Sequence, residues 1–177
     1  FMGGELGQWT EWAHESSLDW HLLGDERHAG LVRWIGDLNH LYRGEPALHQ
    51  LDCDPAGFEW VDASDHGNSV LAFLRRGEDG DDGALLLAVF NFTPQPHHGY
   101  RFGVPRGGRW EEVLNGDGAD YGGSGVGNQG AVEAVEETHQ GRPFALDLTL
   151  PPLAMVVLKS ASPSAPPSES TTPASTA

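Results

Sequence analysis

Glu78-Asp-Gly-Asp-Asp-Gly83-Ala-Leu-Leu-Leu-Ala-Val-Phe-Asn-Phe92 is the stretch that decides the fold class. Its first half, acidic and rich in glycine, is a turn. Its second half, Ala84–Phe92, is an almost unbroken apolar run, the pattern of a strand covered on both faces. With Ser69–Arg75 before the turn it predicts an antiparallel hairpin. Further short β segments follow the same reading: Phe58–Val61, Tyr100–Phe102, Arg109–Leu114, Phe144–Leu150 and Ala154–Leu158. In Phe144–Leu150 apolar and polar residues alternate, as expected of a strand with one wet face. Seven short strands in about 100 residues predict a mainly β chain built as an antiparallel sandwich.

Upstream the periodicity changes. Leu31, Trp34, Ile35, Leu38, Leu41 and Tyr42 recur at three- and four-residue spacing, which predicts a helix over 27–43 with one apolar face. Gly44 and Pro46 stop it. Gly36 in its middle costs about 1 kcal/mol relative to alanine and points to close packing there. The chain thus divides into 1–50, with the helix and a tryptophan-rich block; 51–159, all β; and 160–177, a Ser/Pro/Thr/Ala tail. Such a tail has too little apolar surface to offset its chain entropy and is expected to be disordered.

Composition excludes several functions. The net charge is −16 and Lys159 is the single lysine, which argues against nucleic-acid and anionic-membrane partners. No apolar run approaches a membrane span. The single cysteine, Cys53, excludes an internal disulfide and fits a reducing, cytoplasmic compartment. Asp52 and Asp54 beside it disfavour a reactive thiolate. The nine histidines lack metal-ligand spacing, so no zinc site is expected, and His97-His98 reads as a loop. Asn91-Phe-Thr93 matches a glycosylation sequon inside an apolar run and reads as structural. Tyr121-Gly-Gly-Ser-Gly-Val-Gly-Asn128 lacks the Gly-Lys-Ser/Thr ending of a phosphate loop and reads as a sharply turning surface loop.

The remaining chemistry lies in the first twenty residues. Trp9, Trp12 and Trp20 stand among Glu5, Gln8, Glu11 and Asp19. Sugar rings pack their C–H faces on aromatic rings while carboxylates accept hydrogen bonds from hydroxyls, so the block suits a carbohydrate site. The competing reading makes the tryptophans core and the acids a solvated loop. Glycosidic chemistry needs two facing carboxyl groups, and Glu5, Glu11 and Asp19 supply candidates on composition alone. The block begins at residue 1 with almost no lead-in, which is expected of the C-terminal part of something larger.

Phe1-Met-Gly-Gly-Glu5-Leu-Gly-Gln-Trp9, Ser17-Leu-Asp-Trp20-His-Leu-Leu23 and Asp37-Leu-Asn-His-Leu-Tyr-Arg43 resemble the end of the catalytic domain of bacterial 1,4-α-glucan (glycogen) branching enzymes. The resemblance continues through Gly57-Phe-Glu-Trp60, Asn91-Phe-Thr-Pro94, Tyr121–Asn128 and Leu148-Thr-Leu-Pro-Pro-Leu-Ala154, and covers about 1–159. It departs at Trp34-Ile-Gly-Asp37, where the family often has an arginine, and at Gln140, inserted in the usual His-Gly-Arg-Pro.

The resemblance implies an α-amylase-superfamily enzyme, a (β/α)8 barrel followed by a C-terminal β-sandwich. Phe1–Glu5 would be the eighth barrel strand, 6–26 the loop on the face where barrel active sites are built, and 27–43 the last barrel helix. The family cleaves an α-1,4 linkage through a covalent glycosyl-enzyme and transfers the chain to a 6-hydroxyl with retention, without metal or organic cofactor. Its reacting carboxylates lie on earlier strands, so this chain would supply no catalytic residue and would be inactive alone. Glu5, Trp9, Trp12, Asp19 and Trp20 would contact α-glucan or shape the site, with the rest of the barrel as the other partner. Two alternatives are a stand-alone glucan-binding module and a structural domain that stabilises a barrel.

Overall fold

The computed structural model describes residues 2–161. Helix α1 (Glu26–Gly44) is followed by the one-turn helix α2 (Pro46–His49), and then by eight strands. These are β1 (Phe58–Asp65), β2 (Val70–Arg75), β3 (Leu86–Asn91), β4 (His97–Val104), β5 (Gly108–Asn115), β6 (Ala131–Ala134), β7 (Phe144–Leu150) and β8 (Ala154–Ser160). One sheet has six strands in the order β1-β2-β3-β8-β5-β6, and a second pairs β4 with β7. Every pairing is antiparallel. The all-β expectation holds, and the hairpin closes as read, with Val70 opposite Asn91 and Arg75 opposite Leu86.

Strand alternation explains the layers. Leu85, Leu87 and Val89 point between the sheets, where they meet Phe102, Leu146, Leu148, Trp110, Val156 and Leu158. Leu86 and Ala88 point the other way, into a second cluster with Leu114 and Val157. Trp34, Leu38 and Leu41 of α1 cover that cluster. The run is therefore buried on both faces, between the small sheet and the helix. In β7, Asp147 is exposed between buried Leu146 and Leu148, as the alternation requires, and chelates the Arg101 guanidinium with two 2.7 Å bonds.

Five readings need correction. Residues 2–6 form no strand; Gly4–Leu6 is a 3-10 helix between Gly3 and Gly7, both at positive φ, which turn the chain away from an extended path. His97-His98 begin β4 rather than a loop, because Leu150 supplies the ladder partner for His97. Strand β6 escaped the sequence reading because four residues, Ala131-Val-Glu-Ala134, are too few to display a period. The tail assigned to 160–177 enters the sheet with Ser160, whose hydroxyl accepts a 3.0 Å hydrogen bond from Leu85 N; its remainder, 162–177, lies outside the described residues.

The fifth correction concerns the glycines of α1. The helix is capped by Asp25, whose carboxylate accepts from Arg27 N at 2.9 Å. The Arg27 side chain and backbone together hold the Asp25 carboxyl down at about 2. Nothing lies within 4 Å of a Cβ built on Gly36, so the close approach inferred there is absent. It occurs at Gly30, where a Cβ would stand 2.7 Å from the Tyr121 carbonyl oxygen. One helix of this kind is not enough to cross a bilayer: among the described residues no helix is long and apolar enough.

Leu153 breaks a local rule. It sits in the β7–β8 connection at φ 47, a left-handed conformation that costs a branched L-residue roughly 1–2 kcal/mol. Its side chain is nonetheless 69% exposed.

The two helix glycines give opposite expectations in urea unfolding. Gly30→Ala forces its methyl onto backbone and destabilises by about 1–3 kcal/mol. Gly36→Ala stabilises by up to about 1 kcal/mol through helix propensity. Equal effects at both positions would contradict the contact between α1 and the 121 loop.

Candidate functional site

Residues 2–25 reach α1 through a few defined contacts. Leu6 is buried, and its carbonyl accepts from His28 Nδ1 at 2.7 Å, which places the ring proton on Nδ1. The Trp9 ring meets the His28 ring edge-on, with centroids 5.3 Å apart, and stays 75% exposed. Trp12 is half-buried and lies 6.2 Å from His14. Trp20 opens a 3-10 helix, Trp20–Gly24, with its ring exposed. Between Gln8 and Asp19 the chain forms neither helix nor strand.

The candidate residues are only partly brought together. Trp12 and Asp19 line one hollow with Gln8 and Glu11. Its volume is about 30 Å³, the share of a single water molecule and far below a sugar ring. Trp12 and Glu11 also line an open depression of about 260 Å³ against Met2–Gly4. Glu5, Trp9 and Trp20 are exposed and line neither. Among the described residues no group of three or more His, Cys, Asp or Glu could hold a metal ion.

An aromatic row that the sequence reading missed crosses the outer face of β1, β2 and β3. Phe58 and Trp60 stand 4.9 Å apart on β1, and both approach Phe73 of β2, at 5.1 and 6.0 Å. Phe73 lies 5.8 Å from Phe90 of β3, which is parallel to Phe92 at 6.0 Å. Phe58, Trp60 and Phe92 are exposed. The signal was present as Phe58-x-Trp60 and Phe90-x-Phe92, since residues two apart share a strand face.

The glycine-rich loop is filled by the protein itself. The Asp117 carboxylate accepts from Ser124 N at 2.9 Å, Ser124 Oγ at 2.6 Å and Val126 N at 3.0 Å. A carboxylate in that position excludes a phosphate. Burial alone would raise the Asp117 pKa, but these hydrogen bonds outweigh it and hold the carboxyl below its ordinary value. The loop also grips α1. Tyr121 Oη donates to Asp37 Oδ2 at 2.7 Å, Arg33 Nε donates to Asp120 O at 2.8 Å, and the Trp34 and Tyr121 rings meet edge-on. Burial first, and then the Asp37 bond, push the Tyr121 hydroxyl up to about 12. The sequon Asn91 is buried: its amide donates to Gln95 O and Pro151 O, and its carbonyl accepts from Thr93.

Residues 60–161 match the alpha amylase, C-terminal all-beta domain, and the chain belongs to that family. Over most of its length it is similar to the C-terminal part of 1,4-alpha-glucan branching enzymes. It is 56% identical over 156 residues to the enzyme GlgB of Cereibacter sphaeroides, covering 88% of this chain and 21% of the relative. With GlgB of Aquifex aeolicus the identity is 53% over 159 residues, 90% of this chain and 25% of that protein. The chain thus spans a quarter or less of the length of these curated relatives. The catalytic module of the glycogen-degrading pneumococcal virulence factor SpuA shares the fold, with a TM-score of 0.53 at 14% identity over 86% of this chain and 21% of that one.

Asp117→Asn leaves the Ser124 and Val126 amides without a full acceptor set and is expected to destabilise by about 1–3 kcal/mol at neutral pH. A depressed folded pKa stabilises above the unfolded value of about 3.9 and is lost as pH falls through the folded value. The wild type therefore loses stability on acidification below about pH 4. In unfolding curves the variant loses less over that window, and a parallel decline in both proteins would contradict the role of Asp117.

Proposed function

We propose that the chain is the C-terminal part of a 1,4-α-glucan branching enzyme, acting within an enzyme that cleaves an α-1,4 linkage and transfers the released chain to a 6-hydroxyl. The observation behind this reading is the 56% identity with the Cereibacter sphaeroides branching enzyme across 88% of the chain. In this reading 1–50 is the last βα unit of a (β/α)8 barrel, 51–159 is the sandwich behind it, and 160–177 is a tail. The catalytic carboxylates belong to the part not spanned here, and the chemistry follows the retaining two-carboxylate scheme. Glu5, Trp9, Trp12, Asp19 and Trp20 then shape the wall of the glucan site. The hollow at Trp12 and Asp19 is too small for sugar by itself, which supports a wall rather than a complete subsite. A single exposed cysteine fits a reducing, cytoplasmic location.

The exposed Phe58 and Trp60 favour a second role for the same chain, holding α-glucan away from the reaction centre. Flat aromatic rings in water suit the apolar faces of glucose units.

Two experiments test these readings. In the first, this chain replaces the matching C-terminal part of the Cereibacter sphaeroides enzyme. The chimera is expected to form isoamylase-sensitive branches on amylose, and the 177-residue chain alone to form none. Branches made by the chain alone, or a folded but inactive chimera, would contradict the proposal. In the second, glycogen in a native gel retards the chain and Trp60→Ala abolishes the retardation. Retardation unchanged in Trp60→Ala and lost in Trp9→Ala would move glucan binding to the N-terminal loop.

A further inference from the structure

A buried side chain of α1 fastens the turn at Gly4–Leu6. That single 3-10 turn runs between Gly3 and Gly7, both at positive φ. Leu6 is 4% exposed, and a buried carbonyl needs a donor. His28, in the first turn of α1 and 7% exposed, supplies it through Nδ1 at 2.7 Å. The approach leaves little slack. A Cβ on Gly7 would stand 2.9 Å from Leu31 Cδ2 and 3.6 Å from His28 Nδ1.

Leu6 is the apex between two arms of the chain. Met2–Gly4 before it lines one side of the open depression of about 260 Å³, and Gln8, Thr10, Glu11 and Trp12 after it line the other. Neither Leu6 nor His28 lines the depression, so the bond between them sits behind the point where the arms meet. Trp9, in the second arm, lays its ring edge-on against His28, at 5.3 Å and 80° between planes. A histidine that served only the core would pack among core side chains. His28 packs instead against a tryptophan that is itself 75% exposed, and both its hydrogen bond and its ring contact belong to the loop.

We infer that His28 is a positioning residue for this depression: it fixes the apex at Leu6 and the ring of Trp9, and so sets the spacing between the two arms. The class of ligand rests on the function proposed above. An aromatic ring beside an amide, a hydroxyl and a carboxylate suits a neutral chain of sugar hydroxyls, here α-glucan. His28 acts on it through Leu6 and Trp9, without touching it. The imidazole combines a directed donor with a flat ring. Asparagine keeps an N–H near the place of Nδ1 without the ring, and phenylalanine keeps a ring without the donor. The bond to Leu6 also selects the tautomer protonated on Nδ1.

Three measurements test this. Nitrogen-15 NMR of the 177-residue chain should find the His28 proton on Nδ1, and a proton held on Nε2 alone overturns the inference. Amide exchange of the same chain should quicken at Gly7, which donates to Gly4 O at 3.0 Å, in His28→Phe and recover in His28→Asn. The amides of β3 and β8 should keep their protection in both variants. Unchanged exchange at Gly7 in His28→Phe, or protection lost in β3 as well, marks a histidine with no role or a merely structural one and overturns the inference. In the chimera, His28→Phe should raise the KM for amylose about fivefold, the factor one lost hydrogen bond is worth, with kcat unchanged. His28→Asn should restore most of that KM. An active chimera whose KM is indifferent to His28→Phe, or whose kcat falls at constant KM, sinks the positioning role and leaves the proposed function. A folded but inactive unsubstituted chimera counts against the proposed function alone, and His28 is then judged by its tautomer and by the Gly7 amide.

Discussion

Burial of the Leu85–Val89 run on both faces is the constraint from which the rest of the structure follows. One set of its side chains closes the space between the two sheets, and the other forms the floor on which α1 rests. Both layers are assembled from this run and from β8, which pairs with it from Leu86–Lys159 to Asn91–Ala154. A polar residue here would stand in one of two apolar clusters whichever way it pointed. The sheet therefore tolerates variation at its edges, β1 and β6, far better than at its centre.

The helix is held less completely than the sandwich. Its buried residues are His28 and Gly30, and its apolar face leaves open a groove beside the sheet. What fixes it is polar and specific: Tyr121 on Asp37, the Asp120 carbonyl on Arg33, and backbone pressed against Gly30. These contacts join the glycine-rich loop of the sandwich to the helix that supports residues 2–25. Trp9, Trp12 and Asp19 are thereby referenced to the sandwich through α1. A β domain can in this way position a loop that precedes it by most of a helix.

Much of the fold was legible because it rests on periodicity. The 3.6 repeat of Leu31, Trp34, Leu38 and Leu41 gave α1 within a residue at each end, and the apolar run at 84–92 gave the central strand. What could not be read depends on partners distant in sequence. Gly36 and Gly30 are equivalent as letters, and only the position of Tyr121 distinguishes them. The Gly-rich loop reads as a surface turn, and its filling by Asp117 depends on a carboxylate outside the run. At the site, composition identified tryptophans and acids, but their grouping did not follow from spacing: Trp12 and Asp19 share a hollow while Glu5, Trp9 and Trp20 face solvent. The aromatic row needed the register of three strands to become one surface.

The chain divides into a sandwich that stands on its own core and an N-terminal segment, 2–25, that reaches α1 through a few contacts. Amide hydrogen exchange of the 177-residue chain measures that division directly. Amides of β3 and β8 should exchange only through global unfolding, and those between Gln8 and Asp19 at nearly the rate of an unstructured peptide. Protection across Gln8–Asp19 equal to that of β3 would contradict this division, because the segment would then be held as firmly as the centre of the sheet.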